Sequence, residues 1–150
     1  MAATSAPVTD AAQFLERLSF GSEDLRSAKD AVRASRDFRR TVETALRSLP
    51  EGAGGTASLK RATALYLLSR PEAALPEAEK AGDTPQASLL KARVALENGD
   101  PAQAASVLAT LVGTEVDGPT LLSDLATAAA LSGDSGTAHK AARAGYSAKG

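Results

Sequence analysis

A ten-residue phrase recurs in this chain, and its spacing constrains the fold more than any other feature. Ala95-Leu96-Glu97-Asn98-Gly99-Asp100-Pro101-Ala102-Gln103-Ala104 is answered 34 residues later by Ala129-Ala130-Leu131-Ser132-Gly133-Asp134-Ser135-Gly136-Thr137-Ala138. A looser copy, Tyr66 to Ala74, lies 30 residues before the middle one. In each, an apolar helical segment meets a short turn and a second, Ala-rich helix begins. A period of this size means stacked supersecondary units, none able to bury its apolar face alone. Stacked helix pairs build a surface, so the pattern points to binding before it points to chemistry.

Composition supports helices. Hydrophobic residues make up 43% of the 150, yet aromatics are 3% and Trp is absent. Ala fills the gap, and Ala favours helices that approach closely. Runs of β-branched and aromatic residues that mark strands are missing. The expected class is all-α, in one domain long enough for a sizeable core. Net charge is −1, which gives no global field toward nucleic acid or an anionic membrane. With no cysteine, disulfides, thiolate metal sites and Cys nucleophiles are excluded. The opening Met1 to Asp10 has neither the basic start nor the apolar stretch of a secretory signal. No run approaches the roughly 18 apolar residues of a membrane span. The expectation is a cytoplasmic protein with no membrane span.

Residues 1–9 read as a flexible N-terminus, and 10–49 as an N-terminal helical unit. Asp10 caps a short helix, Gly21 ends it and Ser22 caps the next. Leu25, Ala28 and Val32 recur at helical spacing, and so do Phe38, Val42, Ala45, Leu46 and Leu49. The second stripe is rotated by about a quarter turn from the first, at 100° per residue. One straight helix cannot bury both, so a break is expected near Ser35. Pro50 to Gly55 reads as a linker, with the repeats in 56–150. Pro71 suits a first helical turn, whereas Pro76 should kink its helix or delay its start. Turns follow at Gly82–Pro85 and Gly99–Pro101, and a loop runs from Gly113 to Pro119.

Residues 56–148 resemble the tetratricopeptide repeat (TPR), a 34-residue pair of antiparallel helices. With the turn set at Gly99, the family's small residues fall on Ala92 and Ala104, and later packing positions on Leu108 and Leu111. With the turn at Gly133, they fall on Leu122, Leu125, Ala126 and Ala138. The first copy matches at Ala62, Ala74, Ala78 and Ala81, but Ser69-Arg70 replaces Gly-Asp. Small residues let two helices cross at about 8–10 Å, and Gly enters the left-handed region without a Cβ clash. Ser58 and Ser88 stand where the family has an aromatic, and Arg61 and Lys91 where it has a large apolar residue. The resemblance implies a right-handed α-solenoid of about three repeats, some eight helices in all with the N-terminal unit. It also implies that the first helix of each pair lines a concave face. Contacts to a partner would then come from Leu59, Thr63, Tyr66 and Leu67, from Gln86, Leu89, Arg93, Leu96 and Glu97, and from Thr120, Ser123, Thr127 and Leu131. Such a surface suits a helix or apolar segment of a partner protein. Any of these leucines is equally able to pack between repeats, and the N-terminal helices are able to fold over the face.

Catalytic constellations are sparse. His139 has no His or carboxylate at metal-ligand spacing. Asp100 and Asp134 read as turn and cap residues, and Pro50 to Gly55 lacks the Lys-Ser/Thr ending of a phosphate loop. Arg26, Lys29, Arg33, Arg36, Arg40 and Arg47 would lie within about 80° on one continuous helix. The break near Ser35 splits that stripe, and Asp24, Asp30, Asp37 and Glu43 interleave it. A solvated face is one reading, with contacts to an acidic partner through Arg33, Arg36 and Arg40 as the sharper one. Nucleic acid is disfavoured for want of an aromatic platform. The expectation is a non-catalytic adaptor or chaperone without cofactor or metal. The alternative is a structural subunit that self-associates or packs its ends into a larger assembly.

Overall fold

The computed structural model describes residues 10–18 and 20–149, with side chains as far as Gly145; the expected flexible stretch 1–9 and the Tyr146 side chain lie outside the described residues. Regular structure among the described residues is entirely helical. Its nine elements are α1 (Ala11–Arg17), α2 (Ser22–Ala34), α3 (Arg36–Arg47), α4 (Gly55–Leu67), α5 (Pro71–Lys80), α6 (Pro85–Glu97), α7 (Pro101–Leu111), α8 (Pro119–Leu131) and α9 (Ser135–Lys149). That is one more than the expected eight.

The break falls at Ser35. Its backbone is extended, and its side chain accepts the Phe38 N–H at 3.1 Å, which caps α3. Each helix then buries its own stripe: Leu25, Ala28 and Val32 from α2, and Phe38, Val42 and Leu46 from α3. A continuous helix would have turned one of these stripes to solvent. Pro76 does not delay α5, which begins at Pro71. The N–H that Pro76 lacks would have bonded Glu72, and both residues are exposed, so water can serve that carbonyl.

Three turns are built alike. Gly99 N–H donates to the Leu96 carbonyl at 3.2 Å and Asp100 N–H to Ala95 at 2.8 Å. Gly133 donates to Ala130 at 3.1 Å and Asp134 to Ala129 at 2.8 Å. Ser69 donates to Tyr66 at 3.0 Å and Arg70 to Leu65 at 2.9 Å. This pair of bonds is the Schellman C-cap, which needs a left-handed residue at its centre. Gly99 and Gly133 supply it at φ 81° and 89°, and Ser69 adopts it at 59° despite its Cβ. Asp100 and Asp134 then cap the next helix by accepting the N–H of Gln103 at 3.2 Å and of Thr137 at 3.1 Å.

Each turn folds a helix back on its neighbour, so α4 packs on α5, α6 on α7 and α8 on α9. Successive pairs meet through α5 on α6 and α7 on α8, and α4 also reaches α6. Ala62, Ala74, Ala78, Ala92 and Ala104 have no exposure, as close crossings require. The N-terminal unit lies against this array. Helix α1 packs on α3 and α4, and α2 packs on α3, α4 and α8. The 50–55 segment is tied down rather than loose. Buried Glu77 accepts the Gly52 N–H at 3.0 Å and the Ser58 hydroxyl at 3.2 Å, and pairs with Arg61 Nε at 2.8 Å. Arg61 also donates to the Leu49 carbonyl at 3.1 Å.

Candidate functional site: the inner face and the helix laid across it

The first helices of the three pairs, α4, α6 and α8, share a face, and α2 lies across it. Its N-terminus is fixed at the far end. Ser22 N–H and hydroxyl both donate to the Val116 carbonyl, at 3.3 and 3.2 Å. Helix α8 has no side-chain cap of its own at Gly118. Glu23 supplies one from α2, accepting the Thr120 N–H at 2.9 Å and placing a carboxylate at the positive end of the α8 dipole. A Cβ on Gly118 would come within 2.7 Å of that carboxylate and would push the Glu23 side chain aside.

The middle of α2 is held by Lys29, which is only 6% exposed. Its ammonium donates to the Tyr66 carbonyl at 2.8 Å, pairs with Glu97, and sits 3.9 Å above the centre of the Tyr66 ring. A lysine out of water needs such partners. Burial lowers its pKa below the usual 10.5, and the bond to Glu97 works in the other direction. Beside it, Arg93 Nε donates to the Tyr66 hydroxyl at 3.0 Å, and Arg93 Nη1 pairs with Asp124 at 2.7 Å. Burial raises the Asp124 carboxyl above its ordinary value and Arg93 opposes the shift. Burial likewise raises the Tyr66 phenol, which stays neutral. The second Asp124 oxygen is buried with no hydrogen-bond partner among the described residues.

What α2 leaves open is a polar cleft of about 530 Å³ between α2, α6 and α8. Arg26 and Arg33 stand on its α2 side, Arg93 and Asp124 on its floor, and Thr120 and Ser123 on α8. Among the described residues, no cluster of His, Cys, Asp and Glu fits a metal ion. His139 is exposed on α9 without a carboxylate partner among them. No helix among the described residues is long and apolar enough to cross a membrane.

The residues expected along the inner face separate into three groups. Leu59, Thr63, Tyr66, Leu67 and Leu89 are buried, and do not line an open apolar groove. The reason is packing: α1, α2 and α3 all cover α4, and α6, which carries Leu89, packs on α4, α5 and α7. Gln86, Arg93 and Leu96 are half-buried, whereas Ser123 and Thr127 are exposed on α8. Arg33, Arg36 and Arg40 are exposed too, with Arg33 on the cleft and the other two around the Ser35 corner on α3. Sequence reasoning missed the fixing roles of Glu23, Lys29 and Asp124. For Lys29 a signal existed, since it stands four residues after Leu25 and three before Val32, on the buried stripe of α2. No family model, curated protein or solved structure matches this chain.

Proposed function

We propose that this chain is a non-catalytic protein-binding module, an adaptor built as a right-handed α-solenoid of three tetratricopeptide-like helix pairs. The single observation that carries the reading is the seating of α2. The shared face of α4, α6 and α8 already grips one helix through Leu25, Ala28, Lys29 and Glu23, so it is a surface able to recognise a helix. A helical segment of a partner protein lies alongside α2 in the remaining cleft, over Arg93 and Ser123, and runs on past Ser123 to Thr127 in the adjoining hollow between α8 and α9. The like construction of the Ser69, Gly99 and Gly133 turns supports the repeat reading. Because the cleft is polar, the partner segment is amphipathic rather than purely apolar.

The test is comparative capture with the whole chain and with Ser123→Arg/Thr127→Arg, both positions being exposed and the fold checked by helicity. We expect a protein retained by the parent and lost by the variant. Retention by both, or by neither, defeats the cleft as the binding site. One observation favours the structural alternative: Leu131, at the end of α8, is 67% exposed. A mass that stays monomeric at every concentration in light scattering sets that alternative aside.

A further inference from the structure

Helix α3 carries a second surface, independent of the cleft. Its inner side buries Phe38, Val42 and Leu46. Its outer side is a shallow groove of about 440 Å³ lined by Arg36, Arg39, Arg40, Glu43, Thr44 and Arg47. Arg36, Arg40 and Arg47 fall within about 40° of one another, at 100° per residue. They form a straight row about 16 Å long, at 1.5 Å per residue. Arg39 is 3.9 Å from Glu43, and the three arginines of the row pair with no carboxylate among the described residues.

The row runs against local rules. Arg36 and Arg40 are like charges one turn apart, which destabilises a helix. Arg36 is also the first residue of α3, at the positive end of its dipole, where an acid is favoured. Departures from local preference without a compensating contact concentrate at functional surfaces. The charge of the groove, set against that of the whole chain, selects the occupant. Four arginines and one glutamate give this groove +3 in a chain of net −1, which leaves −4 for the rest. An extended polyanion finds no net positive charge in the rest of the chain taken as a whole, and the groove holds no aromatic on which a base could stack. A short acidic segment stays on the row and meets complementary charge along its length.

We propose that the outer face of α3 docks a short acidic segment of a partner protein, with carboxylates at the i, i+4, i+11 spacing of Arg36, Arg40 and Arg47. The experiment is a fluorescence-anisotropy titration of the whole chain at low ionic strength. The probes are a labelled helical peptide with glutamates at that spacing, a peptide of the same composition with glutamates spread around the helix, and a labelled single-stranded DNA oligonucleotide. We expect the first peptide to bind more tightly than the other two. Arg36→Glu/Arg40→Glu/Arg47→Glu should weaken it by about tenfold or more, since three exposed pairs are lost and reversed. The milder Arg36→Gln/Arg40→Gln should fall between, and helicity guards both variants against unfolding. Any of four results overturns the proposal: no peptide binding, equal binding by the reversed variant, equal binding of the spread-charge peptide, or tighter binding of the oligonucleotide. Loss of the cleft in Ser123→Arg/Thr127→Arg leaves this surface untouched, so the two readings fail separately.

Discussion

Lys29 and Asp124 show how burial and charge trade against each other at single positions. Both are charged residues taken largely out of water, and each is held by one opposite charge. Such a pair usually gains little over apolar residues of the same shape, whereas removing one partner leaves a stranded charge. Asp124 makes this measurable through pH. Its carboxyl titrates higher in the folded chain than the ordinary 3.8, because burial penalises the charge. Between those two values the folded state binds more protons than the unfolded state, so stability falls as pH rises. The contribution is complete below pH 3.8 and lost as pH passes the raised folded value. Comparing chemical denaturation of the parent and Asp124→Asn across this range should show the parent losing stability relative to the variant as pH rises. Lys29 also marks a limit of legibility. Its place on the apolar stripe of α2 was readable in the sequence, but its acceptors, the Tyr66 carbonyl and Glu97, lie 37 and 68 residues away and no local pattern joins them.

Helices and their turns were the most legible level, because their causes are local. The Ser35 break follows from two stripes that a single helix cannot bury together. The turns at Gly99 and Gly133 follow from the left-handed conformation that glycine permits. Ser69 tests that logic, since it occupies the same conformation with a Cβ. Ser69→Gly should raise stability by up to about 1 kcal/mol, and Gly99→Ala should lower it by about 1–2 kcal/mol. Thermal melts of the two variants check the opposite signs. The burial of α4 stood in the sequence as one of two readings of its leucines, and its composition favours that one. Ala62 to Leu68 has no charged residue on any side, and a helix apolar all round belongs inside a molecule. Four of the positions assigned to partner contact lie on that helix and are buried.

At the scale of the whole molecule, the arrangement differs from an open array in which each unit feels only its neighbours. Helix α2 touches both the first pair, at α4, and the last, at α8. Damage at that crossing is therefore felt at both ends. Leu25 is 1% exposed, and Leu25→Ala should cost about 3 kcal/mol. Urea unfolding should stay a single transition by both helicity and tyrosine fluorescence, with a lower midpoint; two separated transitions would mean that the pairs unfold independently. The sequence left it open whether the N-terminal helices fold over the face, and the bonds that fix α2 there were beyond its reach, since turn chemistry and periodicity report on neighbours only. The crossing has a consequence in time as well as in stability. The bonds from Ser22 to Val116 and from Glu23 to Thr120 join residues 94 and 97 apart. Closing a loop of that length costs about 4 kcal/mol of chain entropy before any contact is returned. The helix pairs close loops of only a few residues, so on a refolding chain they assemble first, and the clasp between the two ends of the molecule closes last.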